Sequence, residues 1–361
     1  MKRIDDITCC RALFAGWVFA YHLNLQARYA PSFGFLGRLV ERGALGVDGF
    51  FILSGMVLAY AHPDPKLTLG DARRFWVKRL VRIYPVHLAM ISALLLMVGS
   101  AYLLHQHPRD PGRFSLGELI SQIALVHAWG ASDRWSWNYP SWSISAEWAG
   151  YLAFPLLWTW LRGGGRLVVT VTLALALAGA LAARYLAAAD NLSLTYDGGL
   201  LRFFPDFIAG MVVVPLLRLW PSRILGRAVA LAGVGLMAVG TAAENEMTII
   251  AGLWGLLAGL MAAARQGRGA VLGRVPGFVW LGEISYSFYM SFALVETIQA
   301  GIWRSADADP AASPLLYVFT TTVAMLVIAT LTWALVERPA LRAFAATARR
   351  RADRLPYAAR M

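Results

Sequence analysis

Apolar residues in this chain neither alternate nor keep to one helical stripe; they come in long blocks separated by short stretches carrying charge, glycine or proline. A block of about 20 residues is what an α-helix needs to cross the roughly 30 Å hydrocarbon core of a bilayer. Ten blocks can be marked, at residues 7–25, 45–61, 86–104, 142–161, 167–188, 200–219, 224–242, 248–264, 279–302 and 315–336. One further run, 116–129, has only 14 residues and contains Glu118, Gln122 and His127, which suits a re-entrant or interfacial segment. The predicted fold is all-α: a polytopic membrane protein with about ten transmembrane helices.

Composition agrees with that pattern. Of the 361 residues 58% are apolar and 15% charged, against roughly 45–50% and 25% in a soluble protein. This excludes a disordered chain, a disulfide scaffold and a nucleic-acid-binding domain. The net charge of +12 then reads as topology, because cytoplasmic loops collect Lys and Arg. With 116–129 not crossing and the N-terminus cytoplasmic, 23 of the 33 basic residues fall inside, among them Lys2, Arg3, Lys66, Arg268 and Arg349-Arg350-Arg351, and nine fall outside. Counting 116–129 as a crossing sends every later basic segment outside, so both termini are expected to be cytoplasmic. Residues 1–340 then form one integral-membrane domain, and 341–361 a basic cytoplasmic tail suited to a membrane surface. The first run lacks a small-residue cleavage site and is expected to remain as a span. The adjacent Cys9 and Cys10 read as packing residues. Residues 105–141 form the one sizeable outer excursion, either a solvated loop or part of an acceptor site.

Ionisable side chains inside spans are costly and usually face the bundle interior. The informative ones are Arg11, His22, Asp48, Glu147, Asp206 and Glu283. Arg11 and His22 are eleven residues apart, three helical turns plus about 20°, so they share a face and lie roughly 16 Å apart along the axis. Counted from helix ends, Asp48 and Glu147 come in from the outer side at about the depth of His22. Three helices are thus expected to bring an imidazole and two carboxylates to one level, with Asp48 as the partner that raises the basicity of His22 toward a hydroxyl. The plain alternative is a set of structural hydrogen bonds between helices. At the inner end Arg73, Arg74, Lys78, Arg79 and Arg82 precede the third span; Arg79 and Arg82, three apart, are neighbours able to hold a phosphate, although such clusters also serve topology and lipid headgroups. Gly43, Gly46, Gly49, Ser54 and Gly55 are expected to let the second span approach its neighbours closely.

Several stretches now fall into one pattern: Arg11 to His22 as R-x10-H, Gly46-Val47-Asp48-Gly49-Phe50-Phe51-Ile52-Leu53-Ser54-Gly55, Arg79-Leu80-Val81-Arg82-Ile83-Tyr84-Pro85, Ser141-Trp142-Ser143-Ile144-Ser145-Ala146-Glu147 with Tyr151-Leu152, and Leu281-Gly282-Glu283-Ile284-Ser285-Tyr286 with Tyr289. In this order, running on to Glu337-Arg338-Pro339, they resemble the acyltransferase 3 family, bacterial integral-membrane enzymes that O-acylate extracytoplasmic carbohydrates. The resemblance implies acyl-CoA, most often acetyl-CoA, as a cytoplasmic co-substrate with no permanently bound cofactor or metal, and a sugar hydroxyl as acceptor. By the same resemblance His22 is the catalytic histidine, Arg11, Arg79 and Arg82 contact the CoA phosphates, and Glu147 belongs to the active-site region. Family members often carry a His three residues after the second Tyr of the late motif, where this chain has Phe292.

The expectation is a multi-pass O-acyltransferase of the bacterial inner membrane. His22 removes the acceptor proton or, by a two-step route, carries the acyl group itself. Trp142, Ser143, Tyr286 and Tyr289 are candidate contacts for the oxyanion or acceptor. Expected partners are acyl-CoA, a carbohydrate acceptor, the lipid bilayer and envelope-polysaccharide assembly proteins, with no nucleic acid. The rival is a proton-coupled transporter or exporter of an envelope precursor, since buried His, Asp and Glu also build proton relays.

Overall fold

The computed structural model describes residues 4–63, 68–105, 110–190, 194–218, 223–265 and 270–353. Lys2, Arg3, Lys66, Arg268 and the end of the tail from 354 lie outside the described residues. The described chain is helical: α1 (Asp5–Ala27), α2 (Gly34–Glu41), α3 (Gly46–Ala61), α4 (Leu69–Leu103), α5 (Leu116–Ile123), α6 (Trp142–Gly163), α7 (Arg166–Asp190), α8 (Gly199–Leu216), α9 (Arg223–Ala242), α10 (Glu246–Arg265), α11 (Phe278–Ser305), α12 (Pro314–Thr332) and α13 (Arg338–Asp353). Each of the ten apolar runs falls on one of these helices. Seven helical stretches among the described residues are long and apolar enough to cross a membrane, and α9 contributes a shorter apolar helix. Helices α1 and α6, which carry Arg11, His22 and Glu147 inward, are not among the seven. The short run 116–129 becomes the eight-residue α5, about 12 Å long and too short to cross. A π turn at Trp333–Glu337 joins α12 to α13 without a break, so the boundary expected at residue 340 falls within continuous helix.

Helix α3 is positioned through its small residues. Gly46 and Gly49 lie on one side, against Phe14 of α1; a Cβ on Gly46 would stand 2.8 Å from the Phe14 carbonyl oxygen. The other side carries Gly55, where a Cβ would collide with the Phe207 carbonyl of α8, and α8 returns the contact at Gly210 against the Ile52 carbonyl. Backbones that approach this closely leave no room for a side chain, which is how small residues drive helix association in lipid. Of the small residues expected on this helix, Ser54 does something else: its hydroxyl donates to Glu147 at 2.5 Å.

Between α3, α7 and α8 sits a buried ionic cluster. Asp48, fully buried, accepts from Arg202 Nη2 at 2.5 Å and Nε at 3.2 Å, and from Arg184 Nη2 at 3.2 Å. Arg202 also donates to the Ala44 carbonyl at 2.9 Å. The 110–141 segment folds down onto α4, α6 and α11 around Gln122, which donates to the Ser136 carbonyl at 2.6 Å and accepts from the Asn138 N–H at 3.2 Å. Asn138 then reaches the Met290 carbonyl of α11 at 3.2 Å. This segment is a packed part of the bundle and not a solvated loop.

Two substitutions test this frame. Gly210→Val should lower thermal stability in detergent by overpacking, a cost of about 1–3 kcal/mol, read as an earlier melting transition by size-exclusion fluorescence. Asp48→Asn removes the ion-pair partner of the buried Arg202 guanidinium, while Arg184 keeps Glu246, and should cost about 3–5 kcal/mol, appearing as lost folded protein. A fully stable Asp48→Asn protein that fails only in turnover would instead make Asp48 a chemical group.

Candidate active site

The bundle contains two adjoining cavities, and α1 lines both with one stripe: Arg11 in the first, Ala15, Val18 and His22 in the second. The first, about 150 Å³, is lined by Arg11, Ser54, Arg79, Arg82, Ser143, Glu147, Tyr151, Tyr286 and Tyr289. Helical phase sorts the basic cluster of α4: Arg73, Arg74 and Lys78 are exposed while Arg79 and Arg82 turn inward. The Arg82 guanidinium lies 5.3 Å from the Tyr286 ring centre and is ion-paired with Glu337 at the π turn, whose other oxygen accepts from Ser287 at 2.5 Å. Arg79 stacks over Phe75 at 5.3 Å and Tyr151 at 5.8 Å, and its buried Nε has no partner. Among the described residues Arg11 makes no hydrogen bond or ion pair. Glu147 accepts from Ser54 and, at 2.7 Å, from Tyr151, both neutral donors. Two guanidiniums therefore face this cavity without a carboxylate bound to them, and a buried cation in that state is a receptor for an anion.

The second cavity, about 570 Å³, surrounds His22 with Tyr21, Trp142, Tyr139, Phe288, Tyr289 and Phe292, together with Arg113, Arg202 and Glu296. The imidazole lies 4.7 Å from the Phe292 ring, tilted by 52°, and 6.0 Å from the Tyr139 ring. Val47 and Tyr289 line both cavities, so Tyr289 stands at their junction. Its hydroxyl is 3.1 Å from Ser143 Oγ. Tyr139 donates to Glu296 at 2.6 Å; burial and that neighbouring carboxylate hold the Tyr139 phenol well above its ordinary pKa, keeping it a donor. Among the described residues no group of three or more His, Cys, Asp or Glu is placed to hold a metal.

Arg11, Arg79, Arg82, Glu147, Ser143, Tyr286 and Tyr289 are thus brought to one cavity, and His22, Trp142 and again Tyr289 to its neighbour. Asp48 is in neither. The expected His22–Asp48 pair is not formed, because Gly46 and Gly49 occupy the α1-facing side of α3 and Asp48, 200° and 100° around the helix from them, points to Arg202 and Arg184. Glu147 and His22 line different cavities, Glu147 the first and His22 the second.

Position 292, where this chain departs from the family pattern, is in direct ring contact with His22. Three further residues were missed by sequence reasoning: Arg202, Glu296 and Glu337. Arg202 and Glu296 are ionisable groups inside apolar runs and were open to the same inference as Asp48. Glu337 follows the last run, and only its burial, at 2% exposure, marks it out.

Comparison with known proteins gives the family. Over 164 residues, 44% of this chain, the sequence is 32% identical to the acyltransferase MdmB of Streptomyces mycarofaciens, covering 40% of that protein. Over 169 residues it is 28% identical to the peptidoglycan O-acetyltransferase OatA of Listeria monocytogenes, covering 24% of it. Over 170 residues it is 28% identical to a putative O-acetyltransferase of Staphylococcus aureus, SACOL0978, covering 25%. The matched segments thus span less than half the length of these relatives. No solved structure matches. The family described as the acyltransferase domain, Acyl_transf_3, matches residues 4–334, and this multi-pass membrane chain belongs to it.

Proposed function

We propose that this protein is a membrane O-acyltransferase that moves an acyl group, in the first instance acetyl, from acyl-CoA to a hydroxyl of a cell-envelope or secreted polysaccharide or glycoside. The single observation that carries the reading is the pair of guanidiniums, Arg11 and Arg79, held without a carboxylate in ion-pair contact in a cavity that shares Tyr289 as a wall with the one around His22. An anionic donor with a long flexible arm fits such a track: phosphates at the Arg11 and Arg79 end, thioester near the junction. Arg82 joins the phosphate site if Glu337 yields it. The O-acetyltransferase names of two relatives support acetyl transfer to oxygen.

In the transfer, the acceptor oxygen attacks the thioester carbonyl as His22 takes its proton. The tetrahedral oxyanion collapses with rupture of the C–S bond, and the imidazolium returns the proton to the departing thiolate, so the products are the ester and free CoA. Tyr289 and Ser143, at the junction, are placed to donate to the developing oxyanion; Trp142 and Tyr286 shape the two sides. Glu147 holds Tyr151 and Ser54 along the donor wall. Ten crossings of a bacterial inner membrane, both termini cytoplasmic, put the arginine end toward cytoplasmic acyl-CoA and His22 toward the outside.

Free-thiol release from acetyl-CoA by the purified protein, with a mixed polysaccharide extract as acceptor, tests this reading. His22→Ala should lose about 10²–10⁴-fold in turnover while still binding CoA, and Arg79→Ala should raise the KM for acetyl-CoA about tenfold. A wild-type protein that neither binds nor consumes acyl-CoA overturns the donor assignment and turns attention to a proton-coupled transport path through the same residues.

A further inference from the structure

The transfer above leaves one carboxylate in the His22 cavity without a task. A third cavity, about 830 Å³, lies between the outer ends of α4 and α11 and the 110–114 turn, and Arg113 and Glu296 line both it and the His22 cavity. These two residues therefore form the throat between the outer cavity and the imidazole. Glu296 accepts from Tyr139 at 2.6 Å and from Gln26 at 3.2 Å. Both donors are neutral, and among the described residues Glu296 has no ion pair. It is only half-buried, so lone pairs remain to accept from a ligand.

The distances place it relative to the chemistry. The ring of Tyr139 stands 6.0 Å from the His22 ring, and the same residue's hydroxyl is on Glu296. The carboxylate is thus separated from the imidazole by at most the 6.0 Å between the rings, the reach from the Tyr139 ring centre to its hydroxyl, and a 2.6 Å hydrogen bond. An acceptor with its reacting hydroxyl on His22 would carry a second hydroxyl, a few carbons away on the same or the next ring, to Glu296. The faces of Phe292 and Tyr139 would flank its C–H surface. Few polar groups set among apolar walls is how ligand sites fix orientation.

We propose that Glu296 is an acceptor-positioning residue: its carboxylate, braced by Tyr139, takes a second hydroxyl of a polyhydroxylated acceptor that reaches His22 through the outer cavity. This rests on the acyltransferase reading of His22. The competing account makes Glu296 a brace for Tyr139 and nothing more. Glu296→Gln retains a carbonyl oxygen to accept from Tyr139 but loses the charge; Tyr139→Phe removes the brace and leaves the carboxylate.

The test is steady-state kinetics of the purified full chain with acetyl-CoA and an envelope-polysaccharide extract measured in hexose equivalents. Glu296→Gln should raise the acceptor KM at least tenfold and leave the acetyl-CoA KM within twofold, with Tyr139→Phe moving the acceptor KM much less. Glu296→Asp, which keeps the charge on a shorter arm, should recover part of the loss, and its kinetics decide the matter if Glu296→Gln does not fold. The positioning role is overturned if the acceptor KM stays within twofold of wild type, if both KM values rise together, or if Tyr139→Phe reproduces the whole change. A wild-type protein inert toward acetyl-CoA overturns the acyltransferase reading as well.

Discussion

Asp48 is buried at the meeting of three helices, and a carboxylate there persists only because two guanidiniums are brought to it. Taking such charges out of water costs several kcal/mol per ion, offset only by good geometry and further hydrogen bonds. Arg202 from α8 and Arg184 from α7 provide both. The cluster and the glycine contacts agree on which way α3 faces: Asp48 turns to α8 and the Gly46 and Gly49 side to α1. The stripe of α1 that carries Arg11 and His22 is oriented as a result.

Against that neutralised cluster, the first cavity stands out for what it leaves unmatched. Arg82 has Glu337, but Arg11 and the Nε of Arg79 have no partner among the described residues. Aromatic faces lower the cost of holding Arg79 there, through its stacking on Phe75 and Tyr151. The bundle thus holds a cavity dominated by guanidiniums beside one in which aromatic rings surround the His22 imidazole. Tyr289 belongs to both.

The 110–141 segment has the same organising logic. Its polar groups, Gln122, Ser136 and Asn138, bond to one another and to the α11 backbone, which helps an irregular stretch pack against membrane helices. It carries Arg113, Trp135 and Tyr139 into the His22 cavity. Phe292 presents a ring to His22, so this part of the cavity wall is apolar.

The sequence by itself determined the helical class, the places of the apolar runs, the shared face of Arg79 and Arg82, and the shared stripe of Arg11 and His22. Each of these follows from the length of an apolar block or from the 3.6-residue period within one helix, both local properties. Pairings between helices were not legible. His22–Asp48 was inferred from depth alone, and depth says nothing of the direction a residue faces; the close contacts of Gly46 and Gly49 with α1 turned Asp48 to Arg202. That Glu147 and His22 line different cavities was likewise not legible, because helix phase does not say which neighbouring helices close around a side chain. Glu296 is an ionisable residue in an apolar run, but its place beside Tyr139 on the wall of the His22 cavity is a tertiary fact. The tertiary structure decided which charges are satisfied and which are left free, because that depends on how helices far apart in sequence are rotated against one another.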